Sequence, residues 1–203
     1  MEKIEVVGAS KPQKQPGDPR RNIYVITGRV QGGKTRFLSQ LIPLLSGDGF
    51  GIAGFLSRGS FKDGKRYEFT LVNLAGNQQI PLASLEKKEG WEKYRRFYFN
   101  PGAFEAGESW IRSGLPHQPD LVVIDEVGPM EQESLGWYDL LDFLDKQPPF
   151  MQLRVVREQM LEALTREWKV PPEHVFRIDG SDHRELLMDV FAKLTSARNN
   201  QII

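Results

Sequence analysis

Gly28-Arg-Val-Gln-Gly-Gly-Lys-Thr35 decides how this 203-residue chain folds. Glycines stand at 28, 32 and 33, a lysine at 34 and a hydroxyl at 35, matching G-x-x-x-x-G-K-[ST] at every fixed position. Ahead of it, Ile23-Tyr-Val-Ile26 is a short β-rich run. Behind it, Phe37, Leu38, Leu41, Ile42 and Leu45 recur on one face of a helix. Strand, glycine-rich turn and helix in that order make a phosphate loop (P-loop). Gly28, Gly32 and Gly33 accept backbone angles that other residues resist and let N–H groups close on phosphate oxygens. The helix start near Gly33 adds its positive end to the same anion site. The expected nucleotide-binding segment is therefore Gly28, Arg29, Val30, Gln31, Gly32, Gly33, Lys34, Thr35 and Arg36. Lys34 is expected to bridge the β- and γ-phosphates during catalysis, and the Thr35 hydroxyl to coordinate Mg2+.

A phosphate loop needs an acid at the end of a buried strand, and Leu121-Val-Val-Ile-Asp-Glu126 supplies one. Four apolar residues place Asp125 at the carboxyl edge of a strand buried on both faces, beside the loop in an open α/β sheet. Asp125 is the second expected Mg2+ partner, and Glu126 the catalytic base that polarises the attacking water. No Asn/Thr-Lys-x-Asp element for reading guanine is present. The adjacent Asp-Glu pair points to P-loop proteins that carry the water-activating acid beside the metal-binding one.

The rest of the chain alternates strand and helix, except in one stretch. Ile52–Leu56 is a strand, Asp63-Gly64 a hairpin turn, and Tyr67, Phe69 and Leu71 alternate with Glu68 and Thr70. With Ile80–Leu82 and Arg96–Phe99 this forms an antiparallel excursion over 51–100. Afterwards come a helix from Phe104 to Ile111, the acid-bearing strand, and a helix carrying Leu135, Tyr138, Leu141 and Leu144. Strand 151–156, the helix face Met160/Leu161/Leu164/Trp168, strand 175–178 and a closing helix from Leu186 to Leu194 complete the alternation. Pro43 is expected to bend or shorten the first helix. The expected fold is a three-layer α/β P-loop fold with a mostly parallel sheet and an antiparallel hairpin excursion. Residues 1–21, with three prolines between Lys11 and Arg21, are expected to form a flexible arm, and 22–198 a single domain.

Composition sets outer bounds. The 27 basic and 27 acidic residues cancel, which removes the electrostatic case for a dedicated nucleic-acid or anionic-membrane surface. With no cysteine, thiolate zinc sites, iron–sulfur clusters and cysteine nucleophiles are excluded. No apolar run reaches the ~20 residues that span a bilayer, and the start lacks a secretory signal, so a cytoplasmic location is expected.

Thr27–Thr35, Gly54-Phe-Leu-Ser-Arg-Gly59 and Ile124-Asp-Glu-Val-Gly-Pro-Met-Glu131 resemble the cancer-related nucleoside-triphosphatase family of small P-loop proteins. The resemblance runs from about Ile23 to Leu194 and is strongest at the Asp-Glu-Val-Gly-Pro-Met-Glu string. It implies a Mg2+-dependent enzyme that removes the terminal phosphate of several nucleoside triphosphates without strict base selection. It also implies the roles given above for Lys34, Thr35, Asp125 and Glu126, and matches Glu131 to a family glutamate. The chain departs from the family pattern at Val30 and Arg36 in the loop, and at Glu68, where glycine is usual.

Other residues keep two readings. Arg157, after strand 151–156, is a catalytic candidate for stabilising γ-phosphate charge or a plain helix-start arginine. Arg58 lies at a strand end within reach of phosphate, or on the surface. Arg95 and Arg96 are a lid or a solvated face. Trp91, Trp110, Trp137 and Trp168 stack on a base or fill the core. His117, His174 and His183 carry no metal-ligand spacing. The function expected from the sequence is NTP hydrolysis with water as acceptor and Mg2+ as cofactor. The alternatives are a nucleotide or small-molecule kinase with an acceptor pocket in 51–100, and a nucleotide-dependent switch or assembly factor.

Overall fold

The computed structural model describes residues 22–147, 150–179 and 183–201; the expected arm over 1–21 lies outside them. Nine strands share one sheet: β1 (Ile23–Gly28), β2 (Ile52–Lys62), β3 (Lys65–Asn73), β4 (Gln79–Ser84), β5 (Glu92–Tyr94), β6 (Phe97–Phe99), β7 (Leu121–Val127), β8 (Met151–Arg157) and β9 (Val175–Ile178). Their order is β5-β6-β4-β3-β2-β7-β8-β1-β9. From β2 to β9 every neighbouring pair is parallel, and from β2 outward to β5 every pair is antiparallel. This is the P-loop α/β fold with an antiparallel wing.

Helices α1 (Lys34–Gly47) and α6 (Arg184–Gln201) cover one face. Helices α2 (Pro101–Gly114), α4 (Tyr138–Asp145) and α5 (Leu161–Glu167) cover the other, and α3 (Pro129–Gln132) is a single turn after β7. The strands sort their side chains by the two-residue alternation of a pleated sheet. Ile23 and Val25 join the core under α2, α4 and α5 with Val122 and Ile124. Tyr24 and Ile26 join the core under α1 and α6 with Leu121 and Val123.

Several local expectations change. Leu135 lies outside α4 and is 48% exposed, and Tyr138 at the start of α4 is 42% exposed; the expected Leu141 and Leu144 are buried, and Leu140 joins them. A short run of apolar residues fits a helical stripe at more than one phase, and α4 is too short to test the phase. Arg96 sits in the β5–β6 turn rather than in a strand, and β5 carried too few apolar residues to be seen. Met160 belongs to a 3-10 turn over Glu158–Met160 that precedes α5. Helix α1 continues through Pro43 to Gly47. Pro43 and Ser39 both face solvent, so water can take the hydrogen bond that proline cannot supply.

Strand β2 is the hinge between the parallel sheet and the wing, and it needs glycine at 54. There φ is +116°, and a Cβ would stand 2.0 Å from the Val123 carbonyl oxygen on β7. Gly54→Ala combines backbone strain with a clash against a main-chain atom and is expected to cost about 3–5 kcal/mol. Urea unfolding measures this. A loss under about 1 kcal/mol contradicts the tight β2–β7 junction.

Candidate active site

The carboxyl ends of β1, β7 and β8 lie level with one another, because register pairs Gly28 with Arg157 and Asp125 with Val155. That registry brings five predicted residues together. Thr35, in the first turn of α1, donates its hydroxyl to Asp125 Oδ2 at 3.1 Å. Lys34 Nζ lies 3.3 Å from Glu126 Oε1 and donates to the carbonyls of Gly28 and Arg29, both at 3.1 Å. Arg157 Nε donates to Glu126 Oε2 at 3.0 Å. Glu126 is thus held between two cations, one from the loop and one from β8.

The loop meets the requirements of an anion site. Gly33 caps α1 at φ +91°, and no side chain caps it, so the N–H groups of the first helical turn point into the cavity without a side-chain partner. Val30 is 67% exposed at the tip of the loop. Arg29 and Arg36 are exposed and show no ion pair among the described residues.

Asp125 is 1% exposed. Burial, and next the neighbouring charge of Glu126, push its carboxyl up to about 7, against hydrogen bonds from Ser57 and Thr35 and the charge of Lys34. Ser57 of β2 contributes a backbone N–H to Asp125 Oδ2 at 3.2 Å and its hydroxyl to the Asp125 carbonyl at 2.6 Å. Ser57 stands inside the Gly54–Gly59 string, but a serine in a strand announces no contact with an acid 68 residues away. A buried carboxylate beside a threonine hydroxyl is a set of hard oxygen donors, which suits Mg2+ completed by phosphate oxygens and water.

Glu131 acquires a role that its motif did not disclose. Its carboxylate turns back on its own loop, accepting the Gly128 N–H at 2.6 Å and the Trp137 N–H at 3.0 Å. It therefore ties residues 128–137 into one rigid turn directly after Glu126. Gly128 in turn packs on the Arg157 side chain, where a Cβ would stand 3.2 Å from Nε. Trp137 is buried against Phe55 and Phe104, with ring centroids at 4.2 and 4.8 Å, so it serves as wall and core. Trp168 is core too, under the buried guanidinium of Arg154 at 4.3 Å.

A cavity of about 760 Å3 opens from the loop and passes Asp125, Glu126 and Arg157 into the space beneath the antiparallel wing. Arg58, Arg95 and Arg96 line it and are exposed. Arg95 pairs with Glu133 at 3.7 Å, and Tyr94 donates to the same carboxylate at 2.9 Å, joining the wing tip to the turn after α3. Glu68 faces away from the cavity toward Lys88 and Ser84, each at 3.2 Å. Its replacement of glycine therefore leaves the site unobstructed. His174 stacks on Tyr24, and His183 lies edge-on to Phe37 next to the phosphate loop.

Known proteins resemble this chain in sequence and in fold. A family model described as NTPase matches residues 23–191. Nucleoside-triphosphatase THEP1 of Thermotoga sp. (strain RQ2) is 34% identical over 183 residues, covering 87% of this chain and 98% of that protein. The protein of the same name from Archaeoglobus fulgidus is 27% identical over 167 residues, covering 81% and 94%. With its namesake from Methanothermobacter thermautotrophicus the match is 34% over 111 residues and spans 62% of that relative's length. The solution structure of a human cancer-related nucleoside triphosphatase has the same fold, with TM-score 0.66 and 22% identity over 87% of this chain and 98% of that one. The crystal structure of THEP1 from Aquifex aeolicus gives 0.63 and 19%, over 85% and 98%.

The burial of Glu131 sets a pH dependence for stability. Burial pushes its carboxyl up to about 7, against the two N–H donors. A carboxyl raised in the folded chain favours the protonated native state. The contribution is complete below the unfolded value near 4.5 and is lost as pH rises through about 7. Glu131→Gln removes this titration. Relative to that variant, the parent chain is expected to lose on the order of 3 kcal/mol between pH 4.5 and 8. Urea midpoints across that range read the difference; parallel curves for the two proteins contradict it.

Proposed function

The chain belongs to the NTPase family whose model matches residues 23–191, and on that premise we propose that it hydrolyses nucleoside triphosphates in a Mg2+-dependent reaction with broad base tolerance. The observation that carries this reading is the position of Glu126, held at 3.3 Å by Lys34 and at 3.0 Å by Arg157, one residue beyond the buried Asp125. A carboxylate fixed in that way is oriented before substrate arrives.

The chain's residues divide the work. The N–H groups of the 28–36 loop and the amino end of α1 bind the β- and γ-phosphates. Lys34 is already seated on the Gly28 and Arg29 carbonyls, so its ammonium needs only a short swing to meet phosphate oxygen. Thr35 and Asp125 would hold Mg2+, which when bound supplies positive charge to the β- and γ-phosphate oxygens. When Lys34 turns to phosphate, Glu126 loses one of its two cations and becomes a better acceptor for the proton of the attacking water. Arg157 keeps the other oxygen of Glu126 in place and so acts as a positioning residue. Base tolerance fits a recognition that is concentrated on phosphate by main-chain groups, which are blind to the base.

The two substitutions that separate binding from chemistry are Glu126→Gln and Lys34→Ala. Glu126→Gln is expected to lower kcat for phosphate release by about 10^2–10^4-fold while nucleotide affinity stays within a few-fold. Lys34→Ala removes a charged hydrogen bond to phosphate and is expected to weaken nucleotide binding by about 10–100-fold. Malachite-green phosphate assays and calorimetric titration read the two quantities. Full turnover in Glu126→Gln overturns the assignment of the base.

A further inference from the structure

Water alone occupies about 30 Å3, yet the space beyond Glu126 belongs to a cavity of about 760 Å3. If the loop holds the phosphates, the attacking group approaches the γ-phosphorus from the side opposite the leaving oxygen, within reach of Glu126. The chamber under the wing adjoins that approach. Aromatic rings form part of its wall. Phe69 meets Phe97 edge-on at 5.3 Å, Phe99 lies 6.0 Å from Phe104, and Phe104 leans on Trp137 at 4.8 Å. Phe69, Phe97, Phe99 and Phe104 are each only half-buried, so they retain exposed ring surface. Such surface accepts another ring by offset or edge-to-face stacking.

A cation stands within this wall with no counter-ion among the described residues. Arg66 of β3 lies on the backbone of Gly59, where a Cβ would come 2.7 Å from Nη1, and between the rings of Phe61 and Phe69 at 5.1 and 5.0 Å. Its Nε is buried and has no hydrogen-bond partner. Among the described residues neither Arg66 nor the cavity-lining Arg58 and Arg96 has a carboxylate within ion-pair distance. The charges that Arg66 senses are those of Glu126 and Asp125, which attract it, and of Arg157 and Arg96, which repel it. Holding a half-buried guanidinium unpaired costs stability, and its fork-shaped donors fit a phosphate or carboxylate. Three unpaired arginines favour a dianion.

We propose that this chamber is a second ligand site, taking an aromatic molecule that carries a phosphate monoester, of the nucleoside monophosphate class, next to the γ-phosphate of a bound triphosphate. The ring stacks among Phe69, Phe97 and Phe99, and Arg66 holds the monoester. The proposal rests on the reading of the 28–36 loop as the triphosphate site. Occupancy of the chamber excludes the attacking water, so the ligand limits hydrolysis without displacing the triphosphate.

The test is calorimetric titration of AMP, UMP and dTMP into the full chain saturated with Mg2+ and a non-hydrolysable NTP analogue. Binding in the presence of the analogue is expected. Arg66→Ala and Phe99→Ala should each weaken it by about tenfold or more, and Arg66→Lys should fail to restore it. In phosphate-release assays the monophosphate should lower kcat for the triphosphate and leave KM unchanged. Both variants should keep hydrolysis without added monophosphate within about threefold of the parent. Three results overturn the proposal: no binding once the analogue is present, a rise in KM alone, or loss of basal hydrolysis in Arg66→Ala, which would place that arginine on the γ-phosphate. Failure of the analogue itself to bind is seen first and concerns the loop. The chamber is then titrated with monophosphate alone, where dependence on Arg66 decides.

Discussion

Everything in this site depends on one junction, where the first turn of α1 meets the carboxyl end of β7 across the intervening strand β8. Thr35 to Asp125 at 3.1 Å and Lys34 to Glu126 at 3.3 Å are contacts between residues about ninety positions apart. They form only because parallel pairing sets β1, β8 and β7 in register. The junction also concentrates charge in a chain whose basic and acidic residues balance at 27 each. Global neutrality gives no field to attract a polyanion, so a polyanion would have to be held by local devices such as the main-chain N–H groups of the loop, the end of α1 and Lys34.

A buried carboxylate is costly unless it is paired. Asp125 is compensated in part by Thr35 and Ser57, and the burial and neighbouring Glu126 charge that remain raise its proton affinity. That remainder is what a divalent cation can relieve. Glu126 is compensated differently, by the two cations Lys34 and Arg157. The two neighbouring acids therefore differ in partner and burial, which suits a metal ligand and a base respectively. Ser57 brings β2 into the arrangement, and Gly54 lets β2 approach β7 closely enough for Ser57 to reach.

The parallel half of the fold was legible because its signals are local. Leu121–Ile124 is apolar without interruption, and the glycines of the loop have fixed spacing. Lys34, Thr35, Asp125 and Glu126 come together from two motifs, and Arg157, which no motif singled out, joins them through Glu126. What stayed hidden depends on residues distant in sequence or on a phase too short to read. Glu131 was visible as part of a string, but its function is to bond the N–H groups of its own turn, which no spacing announces. Arg66 looks like one arginine among 27 basic residues until the wing folds over Gly59. Arg154 sits in a strand that reads as apolar, and only the fold supplies Gln152, Asp145 and Trp168 around it. Leu135 was misplaced because α4 spans barely two turns.

On the proposed reading this chain alone, with Mg2+ and water, removes the terminal phosphate of nucleoside triphosphates irrespective of base. The direct measurement is release of labelled phosphate from γ-labelled ATP, GTP, CTP and UTP by the purified chain, with no acceptor present, with Mg2+ and with chelator. Labelled phosphate and the matching nucleoside diphosphate are expected in equal amounts from all four substrates, at rates within about tenfold of one another, and neither is expected with chelator. Phosphate release from a single base only, undiminished release with chelator, or no release until an acceptor is added would contradict it.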